Sequence, residues 1–181
     1  MELELFKTIK DYENYEVSSF GLILNVKKGK FLKPQLDRKG YPTVKLSKKG
    51  KKKHFSIHRL VAEAFVPNEH NKLCVDHIDN NRRNNDYWNL RWVTNTENQH
   101  NKGIQKNNST GVKGIEERNG HFRVKITVNN VKYCFGTYDT LIEATIVRKL
   151  KARQLQGEFM HECEKITDEE RLYFQMKKME I

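Results

Sequence analysis

Three residues in the middle of the chain have the types and order of a hydrolytic site. Asp76 and His77 stand side by side in "LCVDH", and Asn98 follows in "TENQHN". A carboxylate and an amide oxygen are hard donors suited to Mg²⁺, which keeps several waters and binds substrate phosphate. A neutral histidine, whose unperturbed pKa lies near physiological pH, can serve as general base for a water. An ion held beside it would stabilise charge on a phosphate and its leaving oxygen. Taken alone, the Asp-His pair reads more simply as a strand-end cap beside a surface imidazole. What raises it above that reading is the arrangement of the residues that follow.

The elements needed to position these groups can be read around them. "LCVD" predicts a strand ending at Asp76-His77, "LRWV" a second strand, and residues 78–89 a polar loop between them. Thr94 and Glu97 have capping-box spacing, so "TNTE" should open a helix. In a strand-loop-strand-helix unit the end of the first strand can approach the first turn of the helix, so that Asp76 and His77 face Asn98. Adjacent residues of a regular strand point to opposite faces. For both to serve one site the chain must leave strand geometry there, and "HIDNN" allows such a bend. Asn84 and Asn85 read as loop asparagines making side-chain-to-backbone turns. Arg82, Arg83 and Arg91 are candidates for phosphate contact, with Arg91 equally readable as a partner across the hairpin. Trp92 reads as core. His58 reads as a helix-start residue packed near the site, or as a group lying behind it.

The pattern "VDHIDNN…NNDYWNLRWVTNTENQHN" resembles the HNH nuclease motif in its phage and intron-encoded homing-endonuclease form. The resemblance implies a ββα-metal unit and one divalent ion, Mg²⁺ or Mn²⁺. It implies His77 as general base and Asp76 as one metal ligand. Asn89 matches the middle asparagine, which pins the loop and orients the base. Asn98 matches the last motif position, an asparagine in this subfamily, as the second ligand. His100 is a rival two residues away, on another helical face.

The flanks extend the resemblance. "YENYEVSSFGLILN", "LKPQLDRKGYPTVKLSKKGK" and "HRLVAEAFVPN" resemble a small modular domain that accompanies this nuclease. Residues 1–57 read as short strands separated by glycine turns, with lysines, Lys51, Lys52 and Lys53 among them, at turn tips available to phosphate. In "HRLVAEAF", Leu60, Val61, Ala64 and Phe65 share a helical face that Pro67 terminates. "QKNNSTG" (105–111) reads as a linker. "STGVKGIEERNGHFRVKITVNNVKYCFGTYDT…EA" resembles the Apetala-type, ethylene-response-factor DNA-binding domain, three antiparallel strands backed by a helix. Its helix here reads "IVRKLKA", where the plant pattern has aromatic and acidic residues. In "HFRVKITV", Phe122, Val124, Ile126 and Val128 alternate with Arg123, Lys125 and Thr127. Arg123 and Lys125 therefore face away from the helix and, with Arg118 and Lys132, are candidates for DNA contact. Thr140 and Glu143 have capping-box spacing, and Gly157 sits where a C-cap glycine would.

The 181 residues carry a formal net charge of +11. Two basic stretches, 1–57 and 108–157, flank a nearly neutral one, and the tail is acidic. Such a chain gains affinity for phosphate backbones by counterion release. Three scattered cysteines offer neither a zinc ribbon nor a disulfide framework. The N-terminus lacks the apolar run of a signal peptide, and no run is long enough to cross a membrane. The expectation is therefore an α+β protein: an N-terminal antiparallel β module (1–57), a nuclease unit (58–104), a linker (105–111), a three-stranded sheet on one helix (112–158) and an acidic helical tail (159–181). Its expected work is site-specific cleavage of double-stranded DNA, as a monomer with no obligatory protein partner, in the cytoplasm of a bacterial or phage-infected cell at the nucleoid. The rivals are a non-catalytic DNA-binding regulator and an RNA-binding protein.

Overall fold

The structure is a computed structural model describing residues 3–101, 103–104, 106–160, 163 and 165–179. It divides into two compact units, Met1–Asn95 and Thr96–Ile181.

In the first unit, β1 (Phe6–Ile9), β2 (Tyr12–Ser18), β3 (Ile23–Asn25) and β4 (Lys30–Phe31) form an antiparallel sheet in chain order. A second antiparallel sheet holds β5 (Gln35–Leu36), β6 (Pro42–Lys48) and β7 (Lys51–Ser56). Lys49 and Gly50 both take positive φ, forming a two-residue turn whose twist suits a hairpin. That turn fixes the pairing from Lys48↔Lys51 to Thr43↔Ser56. Lys51, Lys52 and Lys53 therefore lie along β7 as exposed strand residues and not at a turn tip. The turn is two residues long, so pairing begins immediately after it.

Helix α1 (Ile57–Phe65) follows without a break and ends where Val66, ahead of Pro67, turns extended. It buries Ile57, Leu60, Val61 and Ala62, while Ala64 and Phe65 are only half-buried. These residues pack with Tyr15, Val17 and Ile23 of the first sheet, Val44 and Leu46 of the second, and Leu90. Each such aliphatic side chain withdrawn from water contributes roughly 1.5–3 kcal/mol. The strand module and the hairpin that carries Asp76 thus share one core across the 57/58 boundary. That hairpin is β8 (Cys74–His77) with β9 (Leu90–Val93), and α2 (Asn95–His100) follows it.

In the second unit β10 (Ile115–Arg118), β11 (His121–Val128) and β12 (Val131–Tyr138) form an antiparallel sheet with β11 central. Ile115 and Val124 meet Ala144 of α3 (Leu141–Gln156), flanked by Phe122, Phe135 and Leu141. The alternation expected in β11 holds: Val124 and Ile126 are buried while Arg123 and Thr127 are exposed. The Thr140 hydroxyl accepts the Glu143 N–H at the start of α3, and Gly157 ends the helix at positive φ. The expected linker is tied at its far end, where Asn108 and Thr110 both donate to the Val112 carbonyl; Gln105 lies outside the described residues. In the tail, α4 (Asp168–Met179) joins α3 through a largely buried pair, Lys149 Nζ to Glu170 Oε1 at 2.6 Å. Residues 161, 162, 164, 180 and 181 of the tail lie outside the described residues. Among the described residues no helix is long and apolar enough to cross a membrane.

Candidate active site

Asp76 and His77 both belong to β8, opposite Arg91 and Leu90 of β9, so the strand continues through the pair. Both are nonetheless buried, at 8% and 4% exposure. The bend falls within "HIDNN", directly after the strand. Asn80 N–H donates to His77 O, and Asn80 itself has a left-handed φ of 60°. The polar loop then folds back on its own asparagines.

Asn89 is the pin of that loop. Its Nδ2 donates to Asp79 Oδ1 (2.9 Å) and to the Asn84 carbonyl (2.9 Å), and its Oδ1 accepts from Asp79 N–H (3.1 Å). Its own carbonyl accepts the Ile78 N–H directly after His77, at 2.9 Å. Asn84 donates to the other Asp79 oxygen. Burial works to raise the pKa of Asp79, but the hydrogen bonds from Asn89, Asn81 N–H and Asn84 outweigh it and hold the carboxyl low. A single ionised aspartate, encircled by amides, thus fixes the segment between His77 and Asn89.

Around His77 the structure gathers residues that sequence reasoning left in lesser roles, His58, Asn85 and Arg82, and one that it did not single out, Tyr41. His77 Nε2 lies 3.2 Å from Asn85 Oδ1, and Asn85 is itself buried. The His58 ring, from the first turn of α1, is 5.2 Å from the His77 ring, and Tyr41 lies within 6.0 Å of His77 and 5.1 Å of His58. Arg82 stacks over Tyr41 at 4.8 Å and donates to the Lys39 carbonyl, so it lies at the edge of this cluster, and both it and Arg83 are exposed. Burial pushes His58 down to about 4, with His77 and Arg59 adding to the effect. Burial also pushes His77 below its usual value, against the opposing pull of the Asn85 hydrogen bond and of Asp79 and Asp76. Both imidazoles are neutral near pH 7, as a proton acceptor must be. No local spacing signals Tyr41 or His58; the hint for His58 is its place at the start of an apolar helix.

Arg91 is the cross-hairpin partner. Its Nε and Nη2 hold Asp76 Oδ2 at 3.2 and 3.1 Å. Among the described residues no three His, Cys, Asp or Glu side chains gather as a metal cage. The carboxylate of Asp76 is a hard oxygen donor, of a kind that would suit a hydrated ion such as Mg²⁺ and not a soft one. Asn98 is half-buried on α2, in the second unit, and its rival His100 is buried.

Of the candidate DNA contacts, Arg118, Arg123 and Lys132 are exposed on the three-stranded sheet. Arg123 Nε is 3.1 Å from Cys134 Sγ. Lys125 is half-buried and ion-paired with Glu116.

Comparison with known proteins finds similarity over the same part of the chain. Residues 4–47 match the NUMOD4 motif and residues 56–100 match the HNH endonuclease family. The chain is 47% identical over 102 residues to DNA endonuclease I-HmuI of Bacillus phage SP01, covering 54% of this chain and 59% of that protein. It is 35% identical over 156 residues to an uncharacterized HNH endonuclease of Acanthamoeba polyphaga mimivirus, covering 81% of this chain and 44% of that one. The chain therefore spans about half the length of these relatives. A solved structure concerning DNA binding and cleavage by the HNH homing endonuclease I-HmuI superposes with a TM-score of 0.51 at 46% identity, over 56% of this chain and 57% of that one.

Proposed function

We propose that this chain, an HNH endonuclease module preceded by a NUMOD4 motif, is a site-specific DNA endonuclease that hydrolyses phosphodiester bonds in duplex DNA, as a homing endonuclease does. The observation that carries this reading is His77: a buried, neutral imidazole beside a buried carboxylate, at the root of a loop pinned by Asn89, within the segment that matches the HNH family.

His77 takes a proton from water. The resulting hydroxide forms the new P–O bond as the bond to the leaving sugar oxygen breaks. Asp76 and Asn98 would hold one divalent ion, Mg²⁺ or Mn²⁺, which when bound supplies charge stabilisation at the phosphate and the leaving oxygen. Asn89 touches neither water nor phosphate in this scheme; it holds Asp79 and the Ile78 backbone, and so fixes where His77 points. Arg91 restrains Asp76 within the hairpin. Lys51, Lys52 and Lys53, with Arg83 and the exposed Arg118, Arg123 and Lys132, supply phosphate and groove contacts. The three-stranded sheet with α3 is read as an Apetala-type DNA-binding domain, and the protein as a monomer acting at the nucleoid of a bacterial or phage-infected cell.

The test is cleavage of supercoiled plasmid with Mg²⁺ or Mn²⁺ by the parent and by His77→Ala, each also assayed for duplex binding. Nicking or linearisation by the parent, with a variant that binds but does not cut, supports the reading. Two proteins that bind equally and never cut, on plasmid or on a genomic pool, would make this a DNA-binding regulator instead.

A further inference from the structure

We propose that His58 is a further substrate-binding residue of the cleavage reaction, whose Nε2–H donates to a non-bridging oxygen of the phosphate that lies beside His77. The inference rests on the nuclease reading and adds a side chain that the reading does not use.

The observation that carries it is an unmet nitrogen. His58 is 9% exposed, and its Nδ1 is enclosed with no hydrogen-bond partner among the described residues. A buried polar atom left unmet costs stability, and folded proteins hold few of them. A phenyl ring would fill the same space against Tyr41 and His77 without that cost. The imidazole therefore offers something that packing does not need. With Nδ1 shut in, only Nε2 can meet a bound molecule.

The surroundings favour a phosphate. Burial keeps the ring neutral near pH 7, so it carries one N–H. The oxygens of a phosphodiester only accept, so a neutral ring that meets one has its proton on Nε2 and a bare lone pair at Nδ1. Protein interiors leave acceptors unmet more readily than N–H donors, which suits the enclosed nitrogen to that state. His58 stands in the first turn of α1, which holds no acidic residue among those described and receives no cap from the Ser56 side chain. The positive end of a helix favours an anion. Arg59 acts on the ring from the next position, and Arg82 lies over Tyr41, which packs against both imidazoles. Asp37 is the one acid whose charge acts on His58, and its Oδ1 is taken up by the N–H groups of Lys39 and Tyr41 at 2.8 and 2.9 Å. The His58 and His77 rings are 5.2 Å apart, so a phosphate held beside His77 lies within one hydrogen bond, about 3 Å, of His58. A donor fixed in place by packing stabilises charge on the phosphate oxygens in the transition state, and so acts on rate more than on affinity.

The test is single-turnover cleavage of supercoiled plasmid with Mg²⁺ by the full chain at saturating protein, with duplex affinity and urea unfolding measured alongside. His58→Phe keeps the ring and removes the donor. At pH 7.5 it should unfold at no lower urea than the parent and bind duplex within about three-fold of it. It should nevertheless cut about 10–100-fold more slowly, as the loss of one hydrogen bond to a charged group implies. His58→Gln, whose side-chain NH₂ lies near the place of Nε2, should regain most of that rate, whereas His58→Leu, similar in size, should not. A His58→Phe variant that cuts at the parental rate overturns the proposal, and so does a His58→Gln variant no faster than His58→Leu. If His58→Phe fails to fold, the comparison of His58→Gln with His58→Leu decides. A parent that cuts no DNA removes the nuclease reading and this proposal with it. A cutting parent matched by His58→Phe removes this proposal alone.

Discussion

At the scale of single residues, the buried charges and imidazoles make the sharpest commitments. Asp76 and Arg91 are mostly withdrawn from water, with side chains 9% and 17% exposed. Removing the cation leaves a carboxylate buried with its principal ion pair gone, which costs about 3 kcal/mol where burial is this deep. Arg91→Met should lose about that much in urea unfolding, and adding Asp76→Leu should recover part of it. Strictly additive losses in the double-mutant cycle would show the pair uncoupled. His58 gives a pH signature. Its folded pKa of about 4 lies below the unfolded value near 6.5, so the unfolded state binds the proton first. Stability is then fully present above pH 6.5 and lost as pH falls towards 4. Between pH 7.5 and 5.0 His58 alone should cost about 2 kcal/mol. His58→Phe should remove that share of the pH dependence; an unchanged pH profile would mean the imidazole is not buried neutral. Of this site, Asp76, His77 and Asn89 were legible in the sequence because they stand in a local pattern. Tyr41, His58 and Asn85 were not. Their side chains meet His77 across 36, 19 and 8 residues of chain, and only the assembled core sets those meetings.

At the scale of elements, local signals carried as far as local forces do. The alternation of β11, the Thr140 cap of α3, the strands of the hairpin and the stop at Pro67 are each determined within a few residues, and each was legible. That Lys51–Lys53 form strand was not, because a run of lysines has little intrinsic strand preference and is paired only through the Lys49-Gly50 turn and its partner β6. The shared core of α1, both N-terminal sheets and Leu90 was hidden for a similar reason: which apolar faces meet is a property of the assembly. Backbone approach makes a testable contrast between two glycines of the second unit, both at positive φ. At Gly114 an added Cβ would lie 2.5 Å from the Lys125 carbonyl, the residue whose N–H bonds back to the Gly114 carbonyl at 2.8 Å. At Gly120 it would meet nothing within 4 Å. Gly120→Ala should cost only the left-handed backbone penalty, about 1 kcal/mol, whereas Gly114→Ala should cost about 3 kcal/mol or more by adding a clash with backbone. Both tryptophans, Trp88 and Trp92, belong to the first unit. The Gly114→Ala loss should therefore be read from the amide circular-dichroism melt, because tryptophan fluorescence reports on the first unit. Equal melts for the two variants would show that the strand does not approach Gly114.

At the scale of the whole molecule, a net charge of +11 would make the proposed duplex binding an ion-exchange reaction. Each phosphate neutralised contributes about −0.9 to the slope of log affinity against log salt. The structure ranks the basic residues of the three-stranded sheet for this role, which the alternation of "HFRVKITV" alone could not do. Among the described residues Lys132, exposed on β12, has no ion pair to an acid, whereas Lys125 is already paired with Glu116. A lysine neutralised within its own sheet releases fewer counterions on meeting DNA. Lys132→Gln should therefore flatten the salt slope by about one unit and weaken binding evenly across sequences, while Lys125→Gln should flatten it by clearly less. On the proposed nuclease function, neither should change the single-turnover cleavage rate once DNA is saturating, because neither belongs to the His77 cluster. The measurement is a titration of the parent and both variants with duplex across a salt series. Equal slopes in all three would remove this face from the DNA contact surface. A Lys125→Gln slope as flat as that of Lys132→Gln would mean that the Glu116 pair opens when DNA binds.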